Sequence, residues 1–153
     1  MKQENREILL KDLCARLPYG VKGKCELDAS YDTSFDTILQ THKFDAVVYG
    51  LKADSLFVYP LIENKDEQEF ANEEVSNGID ILDFKPYLFP LSSMTDAEKE
   101  EYCQLQQRVI YNSKGPVNED VTKYINWCYK KHLDINNLIP IGLAIDATGL
   151  NIY

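Results

Sequence analysis

Two histidines, four cysteines and three evenly spaced aspartates are the side chains of this 153-residue chain from which a reaction centre could be assembled. His42 sits in Thr41-His42-Lys43, which reads as a turn, so its imidazole is expected to be solvated on the surface. His132 falls at the end of a helix, where a cation complements the helix dipole. Neither has a cysteine or carboxylate at the spacing of a zinc site, so no metal ligand is predicted. Cys14, Cys25, Cys103 and Cys128 form no C-x-x-C pair. Three of them lie on or beside helical apolar stripes and Cys25 lies in an extended segment. Free cysteine is among the most buried residue types, so all four are expected in or near the core as reduced thiols. Asp28, Asp32 and Asp36 could hold a magnesium ion, but their spacing places them in a loop, where solvated acids are the rule. Gly20 and Gly23 lack the following helix and the Lys-Ser/Thr pair of a phosphate loop and read as turn glycines. No nucleophile–base pair can be named from spacing. The sequence thus predicts no catalytic, metal-binding or cofactor-binding residue and no cofactor, and it leans away from an enzyme.

Recognition by shape is the chemistry that remains. Tyr87 and Phe89 stand in an apolar segment punctuated by Pro86 and Pro90. Trp127 lies about 100° around a helix from Cys128, at the edge of that helix's apolar stripe. Aromatics are enriched where proteins grip one another, so Tyr87, Phe89 and Trp127 are the candidate protein-binding residues. The competing reading is that they fill the core beneath the proline-rich segment.

These residues need elements to position them. Leu9, Leu10, Leu13, Cys14 and Leu17 repeat at helical spacing over 3–17, with Lys11, Asp12 and Arg16 on the other side. Pro18 stops that helix. Residues 20–62 read as strands: an extended pattern around Val21, Cys25 and Leu27, a second at Ile38-Leu39, and a hairpin of 44–50 with 55–61 turning at Ala53-Asp54. Pro60 belongs at a strand end or edge, because it has no N–H for a ladder. Residues 63–77 read as a solvated acidic loop with at most a helical turn around 67–74. One more strand at 79–82 leads into the connector, 85–94, expected to cross the core as an ordered strap. Thr95-Asp96-Ala97-Glu98 is a capping box opening a helix to about Val109. Asn118 caps a third helix bearing Val121, Tyr124, Ile125 and Cys128 on its apolar face. The tail, 134–153, is expected to pack in extended form, with a turn at 147–149. Strands followed by helices give an α+β class: an N-terminal helix (1–18), a small antiparallel sheet or SH3-like partial barrel (19–84), the connector, and two C-terminal helices with the tail (95–153), in one domain.

Three stretches carry a resemblance: Leu10-Lys11-Asp12-Leu13-Cys14-Ala15-Arg16-Leu17-Pro18-Tyr19-Gly20-Val21, Lys85-Pro86-Tyr87-Leu88-Phe89-Pro90-Leu91-Ser92-Ser93-Met94-Thr95, and Leu138-Ile139-Pro140-Ile141-Gly142-Leu143-Ala144. Together they resemble a family of small uncharacterised proteins from gut Bacteroides and related bacteria, which look like products of prophages and other mobile elements. The resemblance implies a setting, that of a cytoplasmic phage-related accessory protein. It implies no activity.

Charge narrows the classes further. The formal net charge is −9, which disfavours nonspecific nucleic-acid binding, since that needs Lys and Arg on phosphates. The charge is uneven: residues 1–24 hold six basic and three acidic side chains, whereas 63–77 hold six acids and one lysine. The longest apolar runs, 56–62 and 138–145, fall well short of the ~20 residues of a membrane span. No signal-type apolar region precedes the first helix. The expectation is a cytoplasmic, non-catalytic accessory protein that binds a protein partner. The alternatives are an acidic inhibitor that imitates nucleic acid toward a host enzyme, whose binding would collapse with salt, and an enzyme of a type that spacing does not reveal.

Overall fold

The computed structural model describes residues 2–32, 37–52, 55–111 and 119–153. Helix α1 (Lys2–Arg16) forms where the leucines repeat. A 3-10 turn containing Pro18 ends it, and Gly20, in the left-handed region at φ 74°, lets the chain reverse. Strands β1 (Lys22–Asp32) and β2 (Thr37–Lys52) then pair antiparallel from Lys22↔Val47 to Asp32↔Thr37. Strand β3 (Ser55–Pro60) folds back on β2, as the expected hairpin of 44–50 with 55–61 requires, with a bulge between Val48 and Gly50. The expected turn at Ala53-Asp54 falls outside the described residues, as do Asp36 and the expected Asn118 cap.

The rest of the chain extends this sheet and packs against it. After helix α2 (Lys65–Val75) come β4 (Ile79–Asp80), β5 (Phe84–Leu88), α3 (Asp96–Tyr111), α4 (Glu119–Lys130) and β6 (Ile145–Asp146). The strand order is β4-β3-β2-β1-β5-β6, and the sheet curls into a half-barrel. The class is α+β, as expected. The sheet is mixed rather than antiparallel, because the tail adds β6 parallel to β5. The inner face carries Val21 just before β1, Cys25 of β1, Phe44, Ala46 and Val48 of β2, and Leu56 and Val58 of β3. Leu9 and Leu13 of α1, Ala71 and Val75 of α2, Phe84 and Leu88 of β5, and Leu138 and Ala144 of the tail pack into the same core.

Two segments depart from expectation in an informative way. Residues 65–75 form a full helix, not a loop. Asn64 caps it by accepting the Asp66 N–H at 3.0 Å, Asp66 and Glu67 complement its positive end, and burial of Ala71 and Val75 offsets the charge density on its other faces. The connector is strand for half its length. Phe84, Tyr87 and Leu88 are buried, and the backbone bonds run from the Ala147 N–H to the Leu88 carbonyl (2.8 Å) and from the Phe89 N–H to the His132 carbonyl (2.9 Å). Gly23 allows β5 to approach β1: a Cβ there would collide with the Lys85 carbonyl and the Phe84 ring. Gly23 is therefore a strand glycine and not a turn glycine.

The capping box forms as predicted. The Thr95 N–H donates to Glu98 at 3.0 Å, and the Glu98 N–H donates to Thr95 Oγ1 at 3.3 Å. Helix α3 buries no residue completely. It leans on α4 through Tyr102, whose ring lies 5.4 Å from Tyr124 and 6.2 Å from Trp127, with the Tyr124 hydroxyl donating to that of Tyr102 at 2.8 Å. No helix among the described residues is long and apolar enough to cross a membrane.

Candidate functional site

Backbone register creates the first site feature. The Val48 N–H donates to the Val21 carbonyl at 2.9 Å, and the Leu61 N–H donates to the Asp45 carbonyl at 2.7 Å. In an antiparallel ladder the direction of these groups alternates. Even-numbered residues of β2 between 42 and 48 thus bond β1, and odd-numbered ones turn the other way. Pairing with β3 runs out at Ala46↔Pro60, and the chain leaves through Asn64 into α2. Beyond that point Thr41 and Lys43 direct N–H and C=O groups away from β1, and no strand among the described residues pairs with them. Their side chains do not guard this edge. Lys43 Nζ reaches Glu26 at 3.1 Å and Thr41 Oγ1 donates to Asp28 at 2.9 Å, each its direct partner on β1.

A cleft of about 460 Å³ opens beside this edge. Phe44 and Ile62 line it together with a stripe of α2 at helical spacing: Asp66, Glu67, Phe70, Ala71 and Glu74. The His42 ring lies 5.2 Å from Phe70, so His42 is an inward-facing strand residue rather than a turn residue. Glu74 Oε2 is shielded from solvent and has no hydrogen-bond partner among the described residues. The cleft therefore combines an apolar floor, an acidic wall and a row of backbone groups.

A second cleft, about 290 Å³, lies where the connector meets the end of α4 and is lined by Phe89, Met94, Leu133, Lys131, His132 and Tyr153 among others. His132 takes φ 53° just past α4 and stacks on Tyr153 with ring centroids 3.7 Å apart. Burial, reinforced by Arg16 and Lys22, pushes its pKa down to about 4. It is thus a neutral, buried ring, which corrects the expectation of a cation facing the helix dipole. The Tyr153 hydroxyl accepts the Lys22 N–H at 3.1 Å and lies within 3.2 Å of the Lys22 and Tyr87 carbonyls. Lys131 Nζ is held by Glu98 at 3.0 Å. This second cleft is a joint between the connector, α4 and the tail, in which His132 Nδ1 has no hydrogen-bond partner among the described residues.

The three candidate binding residues do not share one groove. Tyr87 is buried in β5, its hydroxyl donating to Asp45 at 2.7 Å, which removes it from the surface. Phe89 is the one of the three that lines the second cleft. Trp127 is half-buried between Tyr102 and the Lys131 ammonium, which lies 5.9 Å from its ring. The cysteines also divide. Cys25 and Cys128 are buried, and burial raises their thiols to about 12 and about 11, so both stay protonated. Cys14 and Cys103 are exposed, against expectation: Cys14 falls just off the buried stripe of α1, and Cys103 just off the half-buried face of α3. Asp28 and Asp32 lie in β1, not in a loop. Among the described residues, no three His, Cys, Asp or Glu side chains converge as a metal site would require.

Sequence reasoning missed the buried ion pair. Asp12 and Arg16, placed on the solvent side of α1, are fully buried. Arg16 Nε donates to Asp12 at 2.6 Å and Nη2 to the Leu133 carbonyl at 2.7 Å, Asn136 donates to Asp12 at 2.8 Å, and the guanidinium lies 4.8 Å from the Tyr129 ring centre. An Asp and an Arg four apart read as a surface pair in any helix. Only the tail folding over α1 makes them internal.

No family model, curated protein or solved structure matches this chain.

Proposed function

We propose that this chain is a non-catalytic, cytoplasmic accessory protein of a mobile genetic element that acts by gripping another protein at the cleft between β2 and α2. The observation that carries this reading is the cleft itself, a solvent-facing apolar floor beside an acidic helix stripe. Apolar surface of this kind, rimmed by charge, is what a recognition site needs. The resemblance carried by 10–21, 85–95 and 138–144 supports the mobile-element setting. Affinity capture from the native host tests it. A specific partner retained by the wild type should be lost with Phe70→Asp, which puts a charge on the cleft floor while leaving the core of α2, Ala71 and Val75, in place. Retention of the same partner by a folded Phe70→Asp variant would rule this surface out.

A further inference from the structure

The backbone geometry points to how that partner is held. We infer that it inserts an extended, basic segment as an added strand on β2, between Thr41-Lys43 and helix α2. This inference rests on the protein-binding reading and specifies its mode.

Three observations converge on it. The outward N–H and C=O groups of Thr41 and Lys43 form a ladder edge, and an extended peptide is the ligand that satisfies such an edge along its whole length. The vacant track continues the line of β3. That strand ends at Pro60, and the Leu61 N–H makes the last bond, to the Asp45 carbonyl, before the chain turns into α2. An incoming strand would take up the ladder where β3 leaves it. Natural sheets blunt such edges with a lysine that projects over them. Here the Lys43 ammonium leans toward β1, to its cross-strand partner Glu26 at 3.1 Å, and away from the edge.

The walls specify the chemistry of the segment. Alternate side chains of an added strand point to opposite faces. Those pointing inward would meet Phe44, Ile62 and Phe70 and must be apolar. The helix wall supplies Asp66, Glu67 and Glu74, and Glu74 Oε2 stands shielded without a hydrogen-bond donor among the described residues. A lysine or arginine on the segment would supply that donor and complement the charge of α2. The preferred occupant is therefore a β-prone stretch in which basic and apolar residues alternate.

The test uses the full chain and three eight-residue peptides: one alternating lysine and valine, one of the same composition with the lysines in a block, and one alternating glutamate and valine. The alternating basic peptide should bind at least tenfold more tightly than either control. Binding should slow amide exchange at Thr41 and Lys43 at least tenfold while leaving His42 and Phe44, already bonded to β1, unchanged. The double charge reversal Glu67→Lys with Glu74→Lys should abolish the preference for the basic peptide. Equal binding of all three peptides, absence of binding, or binding without the odd–even exchange pattern would each overturn strand addition. If the partner captured from the host still depends on Phe70 in that event, the cleft remains a binding site that grips a folded surface, so the two readings fail separately.

Discussion

At the scale of single residues, Arg16 shows how an ordinary helix pair becomes a structural joint. Its guanidinium binds Asp12, the Leu133 carbonyl and the face of Tyr129, and so ties α1 to the chain after α4. Removing one partner of a buried pair leaves the other charge uncompensated. Arg16→Met is therefore expected to cost about 3–5 kcal/mol, and the double change Asp12→Leu with Arg16→Met to cost clearly less. Urea unfolding of both variants measures this; equal losses would mean that the pair is not coupled. His132 makes a pH prediction. Its folded value of about 4 lies below its ordinary value of 6.5. As pH falls between those values, the unfolded chain takes up a proton that the native state refuses. Its contribution therefore destabilises the fold progressively from about pH 6.5 down to about pH 4, and it has no such effect above. His132→Asn keeps a residue that tolerates the left-handed region but cannot titrate. The stability gap between wild type and this variant should narrow between about pH 7 and about pH 5. A gap that stays constant would contradict the buried neutral ring.

At the scale of elements, β5 and α2 show what sequence could and could not reveal. Pro86 and Pro90 fix extended geometry, and the apolar run between them requires burial, so an ordered crossing segment was readable. That it would be a strand was not, because its partners in β1 and β6 are more than fifty residues away in either direction. Gly23 is where this pairing is most exposed to change. Gly23→Ala should drive β1 and β5 apart at the Lys85 carbonyl and cost ~1–3 kcal/mol, the range for overpacking a filled interior. An unchanged unfolding midpoint would show that the two strands are less closely apposed. The helix at 65–75 was obscured by its own charge. Six acids in fifteen residues imply solvent, yet the signal was present in the Asn64 cap and in the spacing of Phe70-Ala71 with Val75. The capping box at Thr95 and the β2–β3 hairpin were legible because both are local: the residues that make them are also the residues that hold them.

At the scale of the whole molecule, the fold class was readable because the strand and helix patterns occupy separate stretches of chain. The candidate site was not, because it depends on where β3 stops relative to β2 and on which backbone groups that leaves unpaired. No side-chain pattern encodes that. The aromatic residues singled out from sequence turn out to join elements: Tyr87 ties β5 to Asp45, Phe89 borders the Tyr153 joint, and Trp127 seats α4 on α3. The proposed recognition surface lies elsewhere, beside the acidic helix α2 and along the part of β2 that β3 leaves unpaired. A photo-crosslinking side chain placed at position 70 and, separately, at position 130, where Lys130 borders the second cleft, in the native host tests this account most directly. The cleft beside α2 predicts a discrete crosslinked protein from position 70 and none from 130; a crosslink from 130 alone would place recognition at the Phe89–Tyr153 joint and contradict the account.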